Sequence, residues 1–222
     1  MAGDKICGVN KEIAEQILLM IRDKFEDFDK GTYYLASLGY DNDIGYRNIR
    51  DMLSHIKTAL SKEANRKEKE IQVSLAEEHL RRALVEPYEV GAQEEFKKTR
   101  DLYNKFTKLI CSIKENEKQF LKAPAEDKLK EQLKSIYRHM ETGRKKKSVN
   151  LWNSDWEEAV EEFTKAAEKA QEINNHLEID IDLMTHRNIH KQNKVYFIWA
   201  LAATILFGIV SVVGVIMPLV IK

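Results

Sequence analysis

Glu178, Asp182, His186 and His190 are spaced by four, so on a helix they line one face. A His-x3-His pair with carboxylates nearby is a donor set for a divalent metal, and Asp182, His186 and His190 are the candidate ligands. The plainer account of the same residues is a solvated face whose basic end meets anionic headgroups. Arg144, Lys145, Lys146 and Lys147 form a run of adjacent cations suited to an anionic lipid or a phosphate-bearing partner. Glu77, Glu78, His79, Arg81 and Arg82 have the spacing of ion pairs along a helix surface.

Residues 50–55 read Arg-Asp-Met-Leu-Ser-His. This resembles the R-x4-6-H motif of the HEPN ribonucleases, an all-helical family that pairs two such motifs across a dimer to cut RNA. Asp51 matches the polar residue that follows the arginine there. The resemblance implies His55 as acid/base and Arg50 as stabiliser of phosphate charge. It covers these residues alone, and it sets the motif in an early helix where the family usually carries it late. Without the resemblance, Arg50 is a surface cation and His55 a half-buried imidazole beside Leu53 of an apolar stripe.

The chain has no G-x-x-x-x-G-K-S/T loop, no G-x-G-x-x-G, no H-E-x-x-H and no G-x-S-x-G. No cofactor is expected, and no small-molecule substrate can be named. Upstream of residue 195 stand 35 Lys+Arg against 36 Asp+Glu, since Lys222 is the one cation beyond it. A net charge of −1 over that region argues against nucleic acid as a partner, which favours a basic surplus. Cys7 and Cys111 are far apart and form no disulfide framework, which fits a reducing compartment. The N-terminus has no apolar stretch of the signal-peptide kind.

The elements that hold these residues read as helices throughout. Only three prolines and nine glycines occur, and nothing alternates with period two for long. A first helix, capped by Asn10, carries Ile13, Ile17, Ile21, Phe25 and Phe28 on one stripe and ends at Gly31. A second starts near Asp43 with Ile49, Leu53, Ile56 and Leu60 inward. The polar stretch 61–70 is either a projecting helix or a break, and Ile71, Leu75, Leu80 and Leu84 resume the pattern. Pro87 sets a boundary or a kink. A further helix spans about 88–121 with Phe96, Tyr103, Phe106, Ile110 and Ile113 inward. After Pro124 another carries Leu129, Leu133, Ile136 and Met140, and Gly143 with its basic run closes it. Ser154 and Glu157 form a capping box for the last helix.

From Trp156 the apolar positions step by four and three through Val160, Phe163, Ala167, Ala170, Asn174, Leu177, Ile181, Met184 and Asn188. That 3.5-residue repeat is a coiled-coil seam, with Asn174 and Asn188 at equivalent a positions where a polar residue fixes register. Ile173, Ile179 and Ile189 widen the apolar face, as packing within a bundle requires. The register continues to Val195 and Ile198.

There the composition changes. Residues 195–221 carry no charged side chain, and 197–217 is long enough to cross about 30 Å of hydrocarbon as a helix. Arg187, Lys191 and Lys194 precede it, with Tyr196 and Trp199 at its entry edge, so the N-terminal region is expected in the cytoplasm. Ala200, Thr204, Gly208 and Ser211 form a small-residue ridge that permits close helix approach in lipid.

The expected fold is all-α: a cytosolic bundle of about five helices over residues 1–150, a heptad helix over 151–194 packing on it, and a single C-terminal transmembrane anchor over 195–221 continuous with that helix. The expected role is a non-enzymatic interaction or adaptor module tethered to membrane lipid, with a protein partner or self-association through the heptad seam and anchor. The layout is also similar to that of SNARE proteins, which combine an N-terminal bundle, a heptad helix and a C-terminal anchor. Asn174 stands where that family has Gln or Arg.

Overall fold

A computed structural model describes residues 11–61, 63–111, 113, 118, 121–147 and 155–220, and its side-chain description omits 155 and 205–220. Among these residues the chain forms five α-helices and no strand: α1 (Lys11–Ser37), α2 (Asp43–Ala59), α3 (Arg66–Ile110), α4 (Glu126–Lys146) and α5 (Asp155–Val220). The chain divides into two compact units, and the division differs from a simple N-to-C cut. One comprises Met1–Asp101 with Pro124–Asn174, the other Leu102–Ala123 with Asn175–Lys222. Helices α3 and α5 therefore each contribute to both.

The first unit is a bundle built from amphipathic stripes. Helix α1 buries Ile13, Ile17, Met20, Phe28, Gly31 and Leu35, while Phe25 is exposed, against expectation. The helix also runs through Gly31 rather than ending there. A Cβ at Gly31 would meet Tyr88 at 3.3 Å and Pro87 at 3.4 Å, so the missing side chain serves the close approach of α3. The stop is at Gly39, whose φ of 82° is the left-handed conformation that favours glycine. There the Tyr40 amide donates to the Leu35 carbonyl at 3.0 Å.

Helix α2 begins after Asn42, whose side-chain oxygen accepts from the Gly45 amide at 3.0 Å. Its buried line is Gly45, Asn48, Met52, Ile56 and Ala59. Leu53 is exposed and Ile49 only half-buried, so the expected stripe is one position off. The displacement follows from Asn48, a polar residue placed inward by hydrogen bonds to the Ile44 carbonyl and Glu86.

The polar stretch after α2 is a break, and the chain restarts as α3 with a capping box. The Asn65 side chain accepts from the Glu68 amide at 3.0 Å, and Glu68 accepts from the Asn65 amide at 2.8 Å. Pro87 sits inside α3 and ends nothing. One ladder hydrogen bond is lost there. The buried Ala83, Leu84, Val85 and Ala92 on either side hold the helix in place. Helix α3 closes at Ile110, short of residue 121. Helix α4 buries Leu129, Ile136, Met140 and Gly143, close to the expected stripe, and runs through the basic run to Lys146. Lys24 of α1 lies over the Trp156 ring of α5 at 4.9 Å. The proposed caps Asn10 and Ser154 lie outside the described residues.

Candidate functional site

In the second unit α5 buries Leu177, Asp180, Ile181 and Met184. Asp180 is fully buried, and its carboxylate accepts from the backbone amides of Lys122 at 2.9 Å and Ala123 at 2.6 Å. These two bonds fasten the segment before α4 to α5. Beyond Met184 the burial stops: Asn188 is half-buried, and every residue from 189 to 201 is exposed. Val195, Tyr196, Phe197, Ile198 and Trp199 are consecutive large apolar residues, each more than half exposed. At 100° per residue they go fully round the helix, so no single face of the chain could cover them.

Arg187, Lys191 and Lys194 are exposed just before this collar. Of the small-residue ridge, Ala200 and Thr204 are exposed, and the Thr204 hydroxyl donates to the Ala200 carbonyl at 2.9 Å; Gly208 and Ser211 lie outside the described side chains. Among the described residues no helix is long and apolar enough to cross a membrane. Most of the expected anchor, the side chains of residues 205–220 and all of residue 221, lies outside the described part.

The upper seam belongs to the first unit's interior. Trp156, Phe163, Ala167, Ala170 and Asn174 are buried and Val160 is half-buried. The seam's a-position Asn174 donates to buried Glu95 on α3 at 2.9 Å, and its own carbonyl oxygen has no partner among the described residues. The Tyr40 hydroxyl donates to the other Glu95 oxygen at 3.4 Å. Nearby, Tyr34 stacks on Tyr88 with centroids 4.6 Å apart, and its buried hydroxyl is also unpartnered. Burial pushes the Tyr34 phenol well up, with the charge of Glu168 adding to the effect. Asn174 thus finds its partner inside one chain, in a carboxylate that sequence alone did not single out.

Arg50 and His55 take different partners. Five residues apart on α2, they point about 140° from each other. Arg50 pairs with its neighbour Asp51 at 2.9 Å in an exposed position. His55 turns to α3, where its Nδ1 meets Gln72 Oε1 at 2.7 Å and its ring stacks on His79 at 5.2 Å. His79 Nδ1 meets Asn48 Oδ1 at 3.2 Å, and Asn48 donates to Glu86 at 2.8 Å.

That chain of polar contacts continues into the basic run. Lys147 bonds Glu86 at 3.4 Å and Glu89 at 2.7 Å, and Arg144 bonds Glu89 at 2.9 Å. Burial raises the Glu89 carboxyl, but hydrogen bonds from Lys147 and Arg144 outweigh it and hold the group below the ordinary carboxylate range. Lys145 pairs with Glu141 at 3.3 Å and Lys146 with Glu158. All four cations of the run are therefore engaged by carboxylates of this chain.

Asp182, His186 and His190 are exposed on α5, and Glu178 is half-buried. Among the described residues no group of three or more His, Cys, Asp or Glu side chains could hold a metal ion. Glu95 and Asp180 are the polar residues that sequence reasoning missed. Their signal was a single acid at an inward position, as with Asp180 between Leu177, Ile181 and Met184. No protein-family model matches this chain, and no match was found among curated proteins or solved structures.

Proposed function

We propose that this chain is a non-enzymatic helical interaction module held at a lipid membrane by the apolar end of α5. The observation that carries the reading is the collar from Val195 to Trp199, apolar on every side of the helix and left uncovered. A helix of that kind is stable in hydrocarbon and costly in water. The sequence supports the same solvent beyond it, since no charge occurs from residue 195 to residue 221.

Exposed Arg187, Lys191 and Lys194 on one side match the cytoplasmic bias of basic residues, so the bundle faces the cytosol. Tyr196 and Trp199 suit the headgroup layer. The mechanism is local concentration: a bundle confined to a surface meets other membrane-bound partners far more often than one in bulk solution. The self-paired polar networks of the bundle fit a binding role better than a reaction centre, because their charges are already matched within the chain.

Flotation of the full-length protein with phosphatidylcholine vesicles tests the tether. Co-flotation that survives alkaline carbonate extraction is expected. Recovery of the folded chain in the dense, lipid-free fraction would dismiss the proposal.

A further inference from the structure

The heptad seam, open by its sequence to the bundle or to a second copy, is buried from Trp156 to Met184 apart from half-buried Val160, so a contact between copies along the bundle has to use another surface. Helix α1 has one. Its inner side is buried in the bundle, yet Leu18 and Leu19 on the outer side are 66% and 45% exposed. They adjoin an open cavity of about 610 Å³ whose other lining residues are Glu15 and Arg22. Spacings of three, four and seven put these residues on one face.

The order of charges along this face is self-complementary. Take a second α1 laid antiparallel, with the crossing point between Leu18 and Leu19. The leucines of the two helices then meet at the centre. Glu15 falls opposite the partner's Arg22, and Arg22 opposite the partner's Glu15. One turn further out Lys11 falls opposite the partner's Glu26, again reciprocally. A two-fold interface requires this i-to-j and j-to-i matching, and an arbitrary surface helix does not supply it. Laid parallel, the same face would set like charges together.

Among the described residues the cations and carboxylates concerned hold exposed local pairs: Lys11 with Glu15 at 3.8 Å, Arg22 with Asp23 at 2.7 Å and Lys30 with Glu26 at 3.2 Å. Such pairs contribute little and exchange readily.

We infer that the occupant of this face is a second copy of the chain, docked through an antiparallel α1–α1 contact centred on Leu18 and Leu19. The contact is small beside the roughly 1,200–2,000 Å² of a stable interface, so it is weak in solution and gains from confinement in a membrane. It lies wholly in the first unit and stands whether or not the chain spans a bilayer.

Sedimentation equilibrium of the full-length chain in neutral-detergent micelles tests the pairing independently of membrane insertion. Wild type is expected as a monomer–dimer equilibrium. Arg22→Glu and Glu15→Arg each turn two attractive pairs repulsive, which weakens the dimer about tenfold. The double variant Glu15→Arg/Arg22→Glu restores the match and recovers the dimer. Leu18→Gln weakens it without touching charge. All three substituted positions are exposed, so circular dichroism stays unchanged. A wild type that is monomeric at every concentration overturns the inference. So do single reversals that leave dimerisation intact, which would move self-association to the span, and so does a double variant that fails to rescue.

Discussion

Glu89 shows what a residue gains from its surroundings. It is 9% exposed on α3, where a lone carboxylate would be unfavourable. Lys147 and Arg144 from the end of α4 reverse that balance and set its folded pKa below the ordinary value. A group whose pKa is depressed by folding contributes stability at every pH above its unfolded value, near 4.3 for glutamate. The contribution is lost as pH falls through the lower, folded value. Wild type is therefore expected to lose melting temperature on acidification from pH 5, with Glu89 among the causes. Glu89→Gln should cost about 2 kcal/mol at pH 7, the scale of hydrogen bonds to a charged group, and the gap to wild type should close as pH falls below the folded pKa. Melting curves of both proteins between pH 7 and pH 3 check this. A gap that stays constant across the range would mean that Glu89 matters for shape and not for charge.

At the level of elements, α4 and α5 meet where a side chain is missing. A Cβ on Gly143 would come within 2.9 Å of the Phe163 ring, and that ring is fully buried and cannot swing aside. Alanine at this position would improve helix propensity by about 1 kcal/mol but force an overpacked contact costing roughly 1–3 kcal/mol. Gly143→Ala is expected to lower stability, and Gly143→Ala/Phe163→Leu to recover part of the loss, both read from denaturant midpoints. The same contact shows how far sequence carries. The stripes of α4 and α5 were legible because each packs one continuous apolar face, and Leu129, Ile136, Phe163 and Ala170 kept the helical period. Gly31 ends no helix, and of the boundary or kink expected at Pro87 the boundary is absent, because residues that punctuate an isolated helix are overridden by close packing between α1 and α3. In α2 the stripe slipped because Asn48 is held inward by partners far along the chain. The polar sites were the least visible. An inward position was the one local mark of Glu95 and Asp180, and it names no partner; their roles exist only once Asn174 and the 122–123 backbone are brought to them. His55 was visible as a residue, but its pairing with His79 across two helices was not.

The whole molecule raises the question of solvent, because one protein must satisfy a charged bundle in water and an apolar helix end. Between residues 197 and 217 the chain carries twelve Leu, Ile, Phe and Val side chains. On an insertion scale these sum to about −5 kcal/mol, while one lysine at a helix centre costs about 3 kcal/mol. A single Phe207→Lys substitution therefore leaves insertion marginally favourable, and a second at Val210 tips it the other way. Graded behaviour is expected: wild type wholly with the vesicles, Phe207→Lys divided between vesicles and buffer, and Phe207→Lys/Val210→Lys in the buffer. Lysine at Leu18, exposed on the outer side of α1, should leave flotation unchanged while removing the apolar centre of the inferred α1 pairing. The two surfaces are thus separable in one set of proteins. If the double lysine variant still floats, the bundle itself binds lipid, and the apolar end of α5 must be assigned to a protein contact instead.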